Sequence, residues 1–127
     1  MIEQKILAHL VDNESYARKV LPFVKPDYFA DQANRVIYQT ISAYVDKYNT
    51  VPSVEALTID VDKVEGLNSD TFKKIIETIP ELKADKNTNM DWLLDQTEKY
   101  CQDRAVYNAI MESIHIIDGK AKDKGKG

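Results

Sequence analysis

Residues 90–118 read MDWLLDQTEKYCQDRAVYNAIMESIHIID. The stretch holds neither Gly nor Pro, and Gly119 follows it as a natural helix stop. Leu93, Leu94, Tyr100, Cys101, Val106, Tyr107, Ile110, Met111, Ile114 and Ile117 fall at helical spacing. At 1.5 Å per residue such a helix spans ~43 Å. A compact domain of 127 residues has a radius of gyration near ~14 Å, hence a diameter of roughly 36 Å. The helix is therefore expected to stick out of its own globule. An apolar helix that projects must meet another helix, in the same chain or a second one. Tyr107, Met111, Ile114 and Ile117 lie on the projecting half and are the expected interface residues. At the near end, Thr88 with Asp91 resembles a capping box, and Trp92 is expected to wedge between helix and globule.

Working back from that helix, residues 1–89 divide into short helices. Ile2, Ile6, Leu7 and Leu10 mark an amphipathic helix over 1–11, which Asp12 and Asn13 end, or else cap the next one. ESYARKVL at 14–21 is a second, stopped before Pro22. Pro26 opens VKPDYFADQANRVIYQTI, in which Asp27 suits a first turn and Asp31–Tyr48 is strongly helical. Asn49 suits the end of that helix, Pro52 blocks continuation and Ser53 caps a helix over 54–64, although TIDVDKV also alternates like a strand. DTFKKIIETI at 70–79 follows, capped by Asn68 or Ser69 and stopped at Pro80. The expected fold is all-α: a globular head of about five short helices at 1–89, one long projecting helix at 90–118, and GKAKDKGKG at 119–127 as a flexible tail or hairpin loop.

Composition narrows the function. Hydrophobic residues are 43% and charged residues 30% of the chain, enough for a core of ordinary size. The net charge is −4; the tail carries +3, leaving −7 on residues 1–118, a poor match for phosphate backbones. The single cysteine, Cys101, excludes an internal disulfide and reads as a small buried hydrophobe rather than a nucleophile. His9 and His115 stand alone on separate helices and read as surface or boundary residues. The four glycines form no P-loop, because Gly119 and Gly125 are followed by neither the Ser nor the Thr that a Walker motif needs. Most of the seven tyrosines fall at core-facing positions, so packing is preferred over nucleobase stacking. No catalytic, cofactor or metal constellation is expected in this stretch. No apolar run approaches the ~18 residues of a membrane span and no signal-peptide core opens the chain, so a cytoplasmic protein is expected.

LPFVKPDYFADQANRVIYQTISAYVDKYNTVPSVEAL, followed by EKYCQDRAVYNA on the long helix, resembles the N-terminal domain of DnaB-like hexameric replicative helicases, and looks closest to the T4-type phage branch. The positions that carry the likeness are Leu21, Pro26, Tyr28, Phe29, Arg35, Ile37, Tyr38, Pro52 and Leu57. Bacterial members usually place a Gly-containing turn and a Val-Asp pair near the proline, where this chain has Asn49-Thr50-Val51-Pro52-Ser53. The resemblance implies a collar domain on the helicase ring. Residues 90–118 would be the first arm of a helical hairpin, with hairpins pairing as dimers, three dimers per ring. Primase would dock on the collar. The second arm, the linker and the ATPase domain, with its ATP and Mg, would lie outside this chain, and single-stranded DNA would be bound only by the full ring. The cytoplasm would then be that of an infected bacterial host. A competing reading is a stand-alone helical phage regulator that binds a host protein through the long helix. A third is a direct DNA-binding module using the Lys tail and the tyrosines.

Overall fold

The computed structural model of the chain describes residues 2–125, with side chains as far as residue 120. Among the described residues every regular element is helical: α1 (Ile2–Asp12), α2 (Glu14–Val20), α3 (Gln32–Tyr48), α4 (Val54–Asp62), α5 (Ser69–Thr78) and α6 (Met90–Gly125). Single 3-10 turns at Pro26–Tyr28 and Ile79–Glu81 hold two of the prolines. Four helix starts in the head are set by side chains that accept a backbone N–H left unpaired in the first turn. Asn13 accepts from Tyr16 N at 3.0 Å, Asp31 from Asn34 N at 3.0 Å, Ser53 from Ala56 N at 3.1 Å and Asn68 from Thr71 N at 2.8 Å. Asn49 closes α3 in the left-handed conformation, φ 57°, which Asn tolerates better than most residues. The strand-like alternation of TIDVDKV is overridden: Leu57 and Val61, four apart, are fully buried on one face of α4.

α3 is the spine of the head. Its buried face of Ala33, Val36, Ile37, Tyr38 and Ile41 meets Ile6, Leu7 and Leu10 of α1, with Leu57 and Val61 of α4 and Ile75 of α5 in the same core. The VKPDYF segment braces this spine. Phe29 is fully buried and stacks on Tyr38, ring centroids 4.9 Å apart. The Tyr38 hydroxyl donates to Val24 O at 2.6 Å, and the Arg35 guanidinium donates to Phe29 O through two nitrogens at 3.2 and 3.0 Å. Each polar group there serves the backbone of a turn that Pro26 bends, so the aromatic pair is a structural brace.

The structure corrects five expectations. α6 does not stop before Gly119 but runs on to Gly125; a glycine permits a left-handed cap without imposing one, and the Lys-Ala-Lys that follows is a good helix former. Lys126 and Gly127 of the expected tail lie outside the described residues. The cap of α6 is Asn89, whose Oδ1 accepts from Trp92 N at 2.9 Å, one residue after the expected Thr88. Trp92 is 46% exposed, with Lys5 Nζ 5.2 Å from its ring centre, and Leu93, fully buried, is the wedge instead. His9 is buried rather than at the surface: its Nδ1 donates to Lys5 O at 2.8 Å and its ring edge meets Tyr16. Tyr48, which continues the apolar spacing of α3 and would be expected to pack, is instead 54% exposed.

Candidate self-association surface

α6 has two halves with different surroundings. In the near half Leu93, Thr97 and Cys101 are buried, one side chain per turn, so this part belongs to the head's core. The Thr97 hydroxyl meets the Tyr16 hydroxyl at 2.6 Å in the interior. Burial pushes the Cys101 thiol up to about 11 and the Tyr16 phenol up to about 12, so both are neutral near pH 7.

The middle of α6 is tied to the Pro26–Tyr28 turn by polar side chains. The Tyr100 hydroxyl oxygen lies 2.8 Å from Tyr28 O, and Arg104 Nε donates to that carbonyl at 3.0 Å. One turn further, Asn108 Nδ2 donates to Asp27 O at 2.9 Å. The Tyr100 hydroxyl also lies 2.5 Å from Glu3 Oε2. Glu3 is buried and accepts from Ala30 N at 3.0 Å and Asn34 Nδ2 at 3.0 Å, so one carboxylate joins α1, the start of α3 and α6. Burial, then the neighbouring Glu3, raise the Tyr100 phenol's pKa well above its ordinary value, which keeps it a donor.

Beyond Asn108 the helix leaves the head, and residues 112–120 are all exposed. Of the four residues picked from the sequence, Tyr107 is 51% exposed, Ile114 43% and Ile117 65%, while Met111 is half-buried. The reason is angular. At about 100° per residue, Met111 falls near the head-facing line of Leu93, Thr97, Cys101 and Asn108, whereas Tyr107, Ile110, Ile114 and Ile117 share a line about 120° away from it. Those four repeat at spacings of three, four and three, the seam of a two-helix pair. Sequence reasoning passed over Ile110, 54% exposed, although that spacing identifies it; Val106 is likewise exposed and borders the seam, about 20° around the helix from Ile117, while Ile116 is exposed on another side of the arm. An arm this apolar in water loses stability unless the seam is covered. Arg104 lies 4.7 Å from the Tyr107 ring centre and holds that tyrosine at the foot of the seam.

Among the described residues no group of three or more His, Cys, Asp or Glu side chains is placed to hold a metal ion, and no helix is long and apolar enough to cross a membrane. A family model described as the DnaB-like helicase N terminal domain matches residues 1–82. Over 111 residues, 87% of this chain, the sequence is 32% identical to the DnaB-like replicative helicase of Enterobacteria phage T4. That match outruns the head and reaches into α6, yet this chain spans only 23% of that relative's length. The matched residues 1–82 hold the whole Phe29–Tyr38–Arg35 brace and the five helices packed around it, and on that footing the chain belongs to the family of DnaB-like helicase N-terminal domains.

Proposed function

We propose that this chain is a non-catalytic collar domain of a phage replicative DNA helicase, which joins subunits into a ring and docks primase during replication. The observation that carries the first half is the seam of Tyr107, Ile110, Ile114 and Ile117 on an arm that has left its own core. Tethering such domains raises the effective concentration of neighbouring motor domains and so favours the closed ring. Primase docking rests on family likeness alone. ATP and magnesium would act in a motor domain elsewhere in the parent polypeptide, and the collar itself needs no cofactor. Its acidic charge suits a guide that repels DNA phosphates better than a tight DNA binder. The host cytoplasm is the setting this role requires.

The test is solution mass by light scattering over a concentration series, with Met111→Glu/Ile114→Glu measured alongside. Two charges on the arm are expected to raise the dissociation constant about tenfold or more. A wild-type chain that stays monomeric throughout, or an assembly indifferent to both charges, sinks the reading.

A further inference from the structure

α6 is held to the head by bonds of two kinds. Leu93, Thr97 and Cys101 are buried, and no described side chain of α6 beyond Cys101 is. Tyr100 is rooted in the interior, its hydroxyl 2.5 Å from the carboxylate of the buried Glu3. The next two turns have no such root. Arg104 and Asn108 are only half-buried, and they reach the Pro26–Tyr28 turn through Arg104 Nε, 3.0 Å from Tyr28 O, and Asn108 Nδ2, 2.9 Å from Asp27 O. Neither carbonyl accepts a backbone N–H among the described residues, so each can take a water in place of the side chain. Arg104 Nη2 donates to Asn108 Oδ1 at 3.4 Å, which leaves the amide nitrogen of Asn108 for Asp27.

We propose that Arg104 and Asn108 form a releasable clamp that aims the distal arm. Exchanging such a bond for one to water shifts the equilibrium by about tenfold. Two of them hold the arm's direction without fixing it as the buried core fixes the near half. No glycine or proline lies between Cys101 and Asp118, so a freed arm stays helical and bends as a rod. A helix that curves with a radius of roughly 60–100 Å over the ~26 Å from Cys101 to Asp118 moves its far end by about 3–6 Å. The clamp also touches the apolar seam, because the same guanidinium lies 4.7 Å from the Tyr107 ring centre. Release therefore redirects the seam and loosens its first residue together. The clamp acts within one chain and stands whether or not the seam pairs with a second copy.

Single-molecule energy transfer tests the clamp at picomolar concentration, where each chain is alone. The two dyes are carried by Asp62→Cys on the head and Asp118→Cys on the arm, both exposed positions, in a Cys101→Ala background. In the clamp variant, Arg104→Met/Asn108→Ala, the distance is expected to shift or broaden by about 3–6 Å, while circular dichroism stays that of the parent. A folded clamp variant whose distance and width match the parent's overturns the proposal. So does one that lowers the urea midpoint with the distance unchanged, since the bonds would then add stability and aim nothing. Should the double variant fail to fold, Asn108→Ala alone decides by the same reading, because it removes the outer bond and leaves the guanidinium in place. Self-association does not enter this measurement, so an overturned clamp leaves the collar reading intact, and a chain that never associates leaves the clamp intact.

Discussion

Glu3 shows how one side chain can hold an architecture. Its carboxylate sits where α1, the start of α3 and the middle of α6 converge, and accepts from Ala30 N, Asn34 Nδ2 and the Tyr100 hydroxyl. Removing it leaves buried donors without partners, which costs more than the hydrogen bonds themselves contribute. Glu3→Ala is expected to lower stability by about 3 kcal/mol and Tyr100→Phe by about 1–2 kcal/mol in urea unfolding. In the double variant the losses should fall short of their sum by on the order of 1 kcal/mol, since each removes part of the same bond; strict additivity would mean that Glu3 and Tyr100 act separately. Cys101 makes a prediction about pH. Burial raises its thiol from 9.0 to about 11, so the unfolded chain ionises first. The group's contribution is complete below about pH 9 and drains away as pH rises through about 11. Cys101→Ala is expected to flatten the fall of the urea midpoint across that window. Wild-type and variant curves that stay parallel would contradict it. Buried Tyr16, raised from 10.0 to about 12, drains stability in both proteins from about pH 10 upward, so it is the difference between the two curves that reports Cys101.

Among the elements, α6 carries the clearest test. It passes through Gly119, where an added Cβ meets nothing within 4 Å and φ is not positive. Gly119→Ala is therefore expected to stabilise the distal arm by roughly 0.5–1 kcal/mol, because alanine loses less backbone entropy in a helix. Hydrogen exchange of amides near residue 119 should slow about two- to fivefold, in line with that free energy. Unchanged exchange would mean that the helix frays before Gly119. The short helices were legible in the sequence because their signals are local. Asn13, Asp31, Ser53 and Asn68 cap through a backbone N–H three residues on, and Asn49 closes α3 with its own φ. Trp92 was misread because composition favours burying a large ring. The cap at Asn89 rotates α6 so that Leu93 points inward and Trp92 does not.

For the whole molecule, the division between core and arm decides behaviour. The near half of α6 closes the head, and the distal half presents a seam that no other described residue covers. The expected concentration dependence and its loss in Met111→Glu/Ile114→Glu belong to this scale. Met111 should contribute less to association than Ile114, because it lies near the head-facing line and is already half-buried. A scan in which Met111→Ala weakens association more than Ile114→Ala would place the contact on the wrong side of the arm.

The sequence by itself determined that the chain is all-helical, where the head's helices begin and end, and that one helix outgrows the globule. These follow from caps, proline positions, apolar period and length, all of which act over a few residues or scale with their number. The likeness to DnaB-like N-terminal domains was legible for the same reason: Pro26, Tyr28, Phe29, Arg35 and Tyr38 lie close along the chain and brace one turn. Tertiary structure alone decided which side of α6 is free. Glu3 and Tyr100 are far apart in sequence, as are Tyr28 and Arg104, and Asp27 and Asn108. These bonds set the rotation of α6, and so place Met111 toward the head and Ile110, Ile114 and Ile117 toward water. Periodicity identifies a helix face as apolar; only the packed structure determines whether that face is already covered.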